Sequence, residues 1–167
     1  MDAHRMIKHI RLLIEDLHCE GVDYETLERE IFGSLHEERG PVVIPGSGKS
    51  RGRIFLPAEN ATVNLIPVEC TLFRLFLAHP EGIKADELLL HWKELCNLYL
   101  QESRFDDKPL RDNAMESLCS ESKTVFYSTV SRIKKKFINV LGPRKAEAYI
   151  IKRDSTGIYK TSAVIND

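Results

Sequence analysis

Cationic and hydroxyl side chains are gathered on one predicted helix, residues 122–141. At roughly 100° per residue, its apolar residues fall on one side and its polar residues on the other. The apolar set is Phe126, Val130, Ile133, Phe137 and Leu141, and the opposite set is Thr124, Ser128, Ser131, Arg132 and Lys135. Guanidinium, ammonium and hydroxyl groups are the donors that proteins use on phosphates and base edges. The chemistry that this helix predicts is noncovalent recognition of nucleic acid.

The positive charge of the chain is concentrated around this helix. Residues 123–146 contain seven Lys or Arg and no Asp or Glu, although the whole chain has a formal net charge of -1. Residues 1–40 carry ten acids and five bases, residues 41–122 carry twelve and nine, and residues 123–167 carry three and ten. This separation predicts different partners for the two ends of the chain, with an anionic partner at the basic end.

The basic end supplies the candidate contacts to double-stranded DNA. They are Thr124, Tyr127, Ser128, Ser131, Arg132, Lys134, Lys135 and Lys136 on the helix, Arg144 and Lys145 beyond it, and Lys152, Arg153 and Lys160 near the C-terminus. Arg132 and Lys135 could reach a guanine edge or a phosphate. The cations that suit phosphates are Lys134, Lys136, Arg144 and Lys145. The alternatives are a solvated amphipathic helix and a C-terminal hairpin whose lysines only protect a sheet edge.

A short glycine-rich motif, GSGKS at residues 46–50, resembles a phosphate-binding loop only in part. The full pattern requires a glycine five positions before Gly48, and that position is Val43. No clear helix follows Ser50 to offer its N-terminus to a phosphate. We interpret the motif as part of a flexible linker.

No other set of side chains predicts catalysis or metal binding. The histidines His4, His9, His18, His36, His79 and His91 form no i, i+4 pair around a Glu. The cysteines Cys19, Cys70, Cys96 and Cys119 lack the close pairing of zinc or redox motifs, which predicts reduced, mostly buried thiols. The adjacent acids Asp106 and Asp107 suit a solvated loop. We therefore expect no enzyme activity, no cofactor and no metal site.

The length and composition favour one main globular domain. The chain has 167 residues, of which 43% are hydrophobic and 29% are charged. No apolar stretch approaches the length of a membrane span, and the N-terminus carries charges where a signal peptide would be apolar. We expect a cytoplasmic protein that does not insert into membranes.

Three parts of the chain are predicted. Residues 1–38 form a helical hairpin, residues 39–52 a linker rich in Gly, Pro and Ser, and residues 53–167 the main domain. The N-terminal helices cannot bury their apolar faces alone, so they either pack on the main domain or form a dimer interface. We favour a homodimer.

The main domain should combine strands and helices. The expected elements are strands at 53–56 and 62–66, helices at 67–80 and 83–100, an irregular segment with room for a short helix at 110–118, the basic helix at 122–141, and a hairpin turning at 154–157.

This order of elements carries a family resemblance. A helix starts at Pro67-x-Glu69, a second follows HPEGI at 79–83, the basic helix contains SRIKKKF at 131–137, and the last hairpin contains GIYK at 157–160. Residues 53–164 resemble the winged-helix effector domain of the OmpR/PhoB class of bacterial response regulators. The resemblance implies an α+β winged helix-turn-helix fold with an N-terminal β-hairpin, a three-helix core and a C-terminal hairpin wing. It also implies a bacterial transcriptional regulator whose recognition helix, 122–141, lies in the major groove.

The sequence departs from that family in two places. Residues 1–50 are too short and too helical for a receiver domain, so phosphorelay control is not implied. The segment 103–121 is longer than the corresponding loop of the family, which can touch RNA polymerase. RNA polymerase is therefore a candidate partner of this segment, and a plain spacer is the other interpretation. The alternative function is a winged-helix module for protein–protein interaction, without DNA binding.

Overall fold

The computed structural model describes residues 42–44, 52–103 and 108–163, all of them in the second of the two units into which the chain divides, Gly40–Asp167. The predicted N-terminal helical hairpin (1–38), the GSGKS motif and the Asp106–Asp107 pair lie outside the described residues. The described fold is α+β, with helices packed beside two small antiparallel sheets. This agrees with the predicted class.

The first sheet has three antiparallel strands in the order β1-β2-β3. They are β1 (Val42–Ile44), β2 (Arg53–Leu56) and β3 (Ala61–Asn64). The bounds of β2 match the prediction, and β3 begins one residue earlier than predicted. β1 lies inside the segment that was predicted to be a linker, 39–52. Its β-branched sequence Val-Val-Ile favours a strand, and it pairs with β2 in the register Val43 to Ile54.

A glycine and a buried carboxylate fasten the start of β2. Gly52 has φ +74, and a Cβ at this position would lie 2.1 Å from the carbonyl oxygen of Leu65, so a glycine is required. Its N–H donates to Glu102 Oε2 at 2.9 Å, and Arg74 Nη1 donates to Glu102 Oε1 at 2.6 Å. The first sheet is thereby tied to two helices.

Five α-helices follow in the described part of the chain. They are α1 (Pro67–Ala78), α2 (Trp92–Glu102), α3 (Lys108–Cys119), α4 (Thr124–Leu141) and α5 (Pro143–Ala146). α1 begins at Pro67 as predicted, and Glu69 accepts a hydrogen bond from the Ile66 N–H at 3.0 Å. None of the helices in residues 52–103 and 108–163 is long and apolar enough to cross a membrane.

The predicted continuous helix at 83–100 is wrong in its first half. The chain instead forms β4 (Ile83–Lys84) and a 3-10 helix (Ala85–His91) before α2 begins. Ile83 is drawn into a strand because it pairs with Tyr159 near the C-terminus. A helical pattern alone could not reveal that distant partner.

The predicted three-helix core is also incomplete. α3 is longer than the short helix expected at 110–118, and it buries Met115, Leu118 and Cys119. α3 packs on both α2 and α4. The core of the described domain therefore contains a fourth substantial helix.

The second sheet contains the predicted C-terminal hairpin. Its strands are β5 (Lys152–Arg153) and β6 (Ile158–Lys160), and the sheet order is β4-β6-β5. Asp154 closes the turn by accepting hydrogen bonds from the N–H groups of Thr156 at 2.8 Å and Ile158 at 3.0 Å. Gly157 supplies the required positive φ of 87°.

The apolar stripe of α4 lies in the core as the periodicity predicts. Phe126, Ile133 and Phe137 are completely buried. The Phe137 ring lies 5.0 Å from that of Phe73 in α1, and Phe126 meets Tyr159 of β6 edge to face, also at 5.0 Å. These contacts attach α4 to α1 on one side and to the hairpin sheet on the other.

Phe137→Ala should destabilise the protein by about 3–5 kcal/mol, because it removes a fully buried ring and leaves a cavity. The matched control is Val140→Ala on the same helix, where the side chain is 47% exposed and the loss should stay below about 1 kcal/mol. Urea unfolding followed by far-UV circular dichroism measures both. Equal losses in the two variants would contradict this packing of α4.

Candidate nucleic-acid interface

The polar face of α4 is exposed from the first residue of the helix to Lys135. Thr124, Ser128, Ser131, Arg132 and Lys135 all face solvent. Thr129, in contrast, is fully buried and donates its hydroxyl hydrogen bond to the Val125 carbonyl at 2.7 Å. Thr129 therefore faces the core, whereas Ser128, whose hydroxyl also donates to the Val125 carbonyl at 3.0 Å, lies on the exposed face.

Arg132 is oriented by its own helix. Its Nε donates to the Ser128 carbonyl at 3.3 Å, and Nη2 lies 3.4 Å from Ser128 Oγ and 3.5 Å from Thr129 Oγ1. These bonds are long and therefore weak. No carboxylate within the described ranges forms an ion pair with this guanidinium. Arg132 thus keeps donors for an external acceptor.

The positive surface continues from Lys134 and Lys135 into α5. Gly142, with φ 77°, ends α4, and Pro143 starts the short α5 that carries Arg144 and Lys145. All four cations are exposed, and none forms an ion pair with an acid in the described part of the chain. We call this set, together with Arg132, the basic face.

Lys136 lies apart from the basic face, although it was one of the predicted phosphate contacts. Its Nζ is 2.5 Å from Oε2 of Glu69, whose side chain is only 2% exposed. The same Glu69 oxygen accepts the Ile66 N–H at the start of α1. Lys136 therefore serves the packing of α4 on α1 and neutralises a buried carboxylate.

The hairpin cations are partly neutralised. Lys152 forms an ion pair with Glu147, and Lys160 Nζ lies 3.8 Å from Asp154 Oδ2. The hydrogen bond from Lys152 holds the pKa of Glu147 below its usual value. The pKa of Asp154 is lowered chiefly by the hydrogen bond from the Thr156 hydroxyl. Arg153 is exposed and makes no ion pair among the described residues, which leaves it as the free cation of the hairpin.

Aromatic contacts hold the hairpin beside the first turns of α4. The rings of Tyr127 and Tyr159 lie 6.3 Å apart, and Phe126 packs against both. Tyr127 is 47% exposed, so it stays accessible to a ligand. These contacts fix the hairpin beside the start of α4.

The three cysteines that the structure describes are buried and unpaired. Burial raises the pKa of Cys119 and of Cys96 above the usual thiol value, so both stay protonated at neutral pH. This matches the predicted buried thiols. Cys19 lies outside the described residues.

Sequence reasoning missed one group of possible metal ligands: His79, His91 and Glu94, whose ligand atoms all lie within 4.8 Å of one another. The spacing His91-x-x-Glu94 was available as a signal, because residues three apart share a helix face. His79 comes from the end of the preceding helix, so only the fold brings it close. Burial lowers the pKa of His79, but hydrogen bonds with Glu94 and Glu81 outweigh burial and raise it overall.

No family model, curated protein or solved structure matches this chain. The interpretation of the basic face therefore rests on its own residues.

Lys136→Ala should cost about 1–3 kcal/mol of stability, because it leaves the buried Glu69 carboxylate without its cation. The neighbouring Lys135→Ala should change stability by no more than about 0.5 kcal/mol, since Lys135 is exposed. Urea unfolding of both variants tests the difference.

A double-mutant cycle with Glu69→Gln isolates the ion pair. Glu69→Gln with Lys136→Met should destabilise less than the sum of the two single changes. Strict additivity, or equal costs for Lys135 and Lys136, would refute the assignment of Lys136 to the packing of α4.

Proposed function

We propose that the chain is a DNA-binding protein of the winged-helix type, in which α4 lies in the major groove and the β5–β6 hairpin acts as the wing. The observation that carries the proposal is the basic face: Arg132, Lys134, Lys135, Arg144 and Lys145 are exposed together, without acids in the segment 123–146. Such a concentration of unpaired cations suits a polyanion.

The order of the strands supports the winged-helix part of the proposal. A short strand that follows α1 pairs with the C-terminal hairpin, which gives the sheet order β4-β6-β5. This sheet packs on α4 through Tyr159 and Phe126. A wing attached in this way would reach the backbone next to the groove that α4 occupies.

The connection between α3 and α4 supports the helix-turn-helix part. Only residues 120–123 separate the two helices, and turns of three or four residues are typical of that motif. In such a motif the second helix enters the major groove, which is wide enough for an α-helix. α4 is the second helix here.

The cations differ in the part of the DNA that they would contact. Arg132, with Ser128 and Ser131 beside it, lies at mid-helix, where base edges would be within reach. Arg144 and Lys145 lie beyond the end of α4, where phosphates would be closer. On the wing, Arg153 would bind the DNA backbone. We assign base recognition to Arg132 and positioning to the others.

The proposed biological role is transcription regulation in the cytoplasm of a bacterium. A single module of this size buries limited DNA surface, so a homodimer on paired half-sites would raise affinity and specificity. RNA polymerase is the proposed partner of residues 103–121. In that segment α3 commits Met115 and Leu118 to the core, which leaves its opposite face, including Asn113 and Glu116, for a partner.

Binding to duplex DNA should weaken steeply with salt, and Lys145→Ala should make the slope of log affinity against log salt shallower by about 1. Fluorescence anisotropy with a labelled pool of genomic fragments measures this. Lys93→Ala is the matched control: Lys93 is an exposed lysine on α2, which packs chiefly on α1 and α3. Equal slope changes for Lys93 and Lys145 would place the DNA elsewhere.

Arg132→Ala should weaken binding to a selected specific site by about 1–3 kcal/mol and relax the preference at one base pair. Binding to random duplex should change much less. Sequencing of fragments enriched by the wild-type and variant proteins tests this. If a folded wild-type protein retains no genomic fragment at low salt, the DNA-binding proposal fails and the protein-interaction alternative gains support.

A further inference from the structure

We propose that His79, His91 and Glu94 form a binding site for a divalent transition-metal ion, with Zn²⁺ as the best match. The site is separate from the basic face, and the inference does not depend on DNA binding. Its ligands come from three neighbouring stretches: His79 follows the last residue of α1, His91 ends the 3-10 helix, and Glu94 lies in the first turn of α2.

Two of the three distances between the ligand atoms are close to the edges of a tetrahedron around a metal ion, and all three are within 4.8 Å. His79 Nε2 lies 3.0 Å from Glu94 Oε2, and His91 Nδ1 lies 3.5 Å from the same oxygen. A tetrahedron with zinc–ligand bonds of about 2.0–2.2 Å has edges of roughly 3.3–3.5 Å. Small rotations of these side chains, which are only 23–38% exposed, would therefore admit the ion.

A second carboxylate orients the first histidine. His79 Nδ1 lies 2.9 Å from Glu81 Oε1. When Nδ1 donates its proton to Glu81, the Nε2 lone pair points toward the Glu94 carboxylate. In that tautomer Nε2 is free to bind a metal ion together with Glu94 Oε2, which lies 3.0 Å away. A carboxylate–histidine–metal arrangement is the usual way in which proteins orient a metal-binding imidazole.

The surroundings favour a cation with more than one positive charge. Within residues 52–103 and 108–163, Glu81 and Glu94 form ion pairs only with histidines. The nearby Lys84 is already paired with Glu87 at 3.6 Å. Two neutral imidazoles and two carboxylates together leave a negative site, which a divalent ion would neutralise.

The donor set points to zinc chemistry. Two imidazole nitrogens and one carboxylate oxygen are ligands that Zn²⁺ accepts readily, and Ca²⁺ or Mg²⁺ would require more oxygens. Both histidine side chains are 23% exposed and their rings are 4.5 Å apart, so an ion can enter from solvent. The ion would fasten the end of α1 to the start of α2, on either side of β4.

The test uses the full chain, stripped of metal with a chelator and titrated with Zn²⁺ and with Co²⁺ as a spectroscopic probe. The wild-type protein should bind one equivalent of Zn²⁺ more than either of the single variants His91→Gln and Glu94→Gln. It should show visible Co²⁺ absorption of a four- or five-coordinate nitrogen and oxygen site, and its melting temperature should rise with Zn²⁺. Glu81→Gln should weaken Zn²⁺ binding by about 10-fold or more.

Glu87→Gln is the matched control, because Glu87 is an exposed glutamate of the same region that pairs with Lys84. It should keep the wild-type stoichiometry and Co²⁺ spectrum. Other histidines and cysteines of the chain can also bind metal ions. The decisive result is therefore the difference in Zn²⁺ stoichiometry and Co²⁺ spectrum between the wild-type protein and each variant. Circular dichroism verifies that each variant is folded, and Glu94→Gln alone suffices if His91→Gln unfolds.

An unchanged Co²⁺ spectrum and Zn²⁺ stoichiometry in both His91→Gln and Glu94→Gln would overturn the proposal. So would a wild-type protein that binds no metal. His79 would then be a protonated ring that donates hydrogen bonds to Glu81 and Glu94, without a metal ion.

Discussion

The burial of one aromatic stripe determines the rest of the structure. Phe126 and Phe137 are completely buried, and they meet α1 through Phe73 and Phe76 and the hairpin sheet through Tyr159. A helix that is fixed along one side has its opposite side fixed as well. The exposed direction of Arg132 and Lys135 is therefore a consequence of where the phenylalanines pack. Any surface function of α4 depends on that packing.

Local periodicity explains why much of the fold was predictable. α1, α4 and the hairpin turn at Asp154 carry their signals within a few residues, so their positions agree with the sequence-based expectation. β1 and β4 could not be found in this way. Each is only two or three residues long and exists because of a strand elsewhere, Ile83 pairing with Tyr159 for example. α3 was underestimated because its helical pattern is interrupted by polar residues.

The sequence could predict which residue types form the candidate interface, but it could not predict the partner of each side chain. Lys135 and Lys136 are adjacent and chemically identical, yet one faces solvent and the other meets Glu69, 67 positions earlier in the chain. Successive residues of an α-helix are rotated by about 100° around its axis, which is enough to turn Lys136 toward α1. In the same way, His79 and Glu94 are neighbours only because a strand and a 3-10 helix return the chain between them.

The pairing of acids inside the domain explains how a nearly neutral chain can keep a strongly basic surface. Glu69 is engaged by Lys136, Glu102 by Arg74 and Glu147 chiefly by Lys152, so the charges of these carboxylates are offset mainly by cations outside the basic face. At physiological ionic strength charges are screened beyond about 8 Å. An acid beyond that distance from Lys135 would have little effect on a phosphate bound there, although it counts in the formal total of -1. The local field of α4, rather than the net charge, determines which partner this surface attracts.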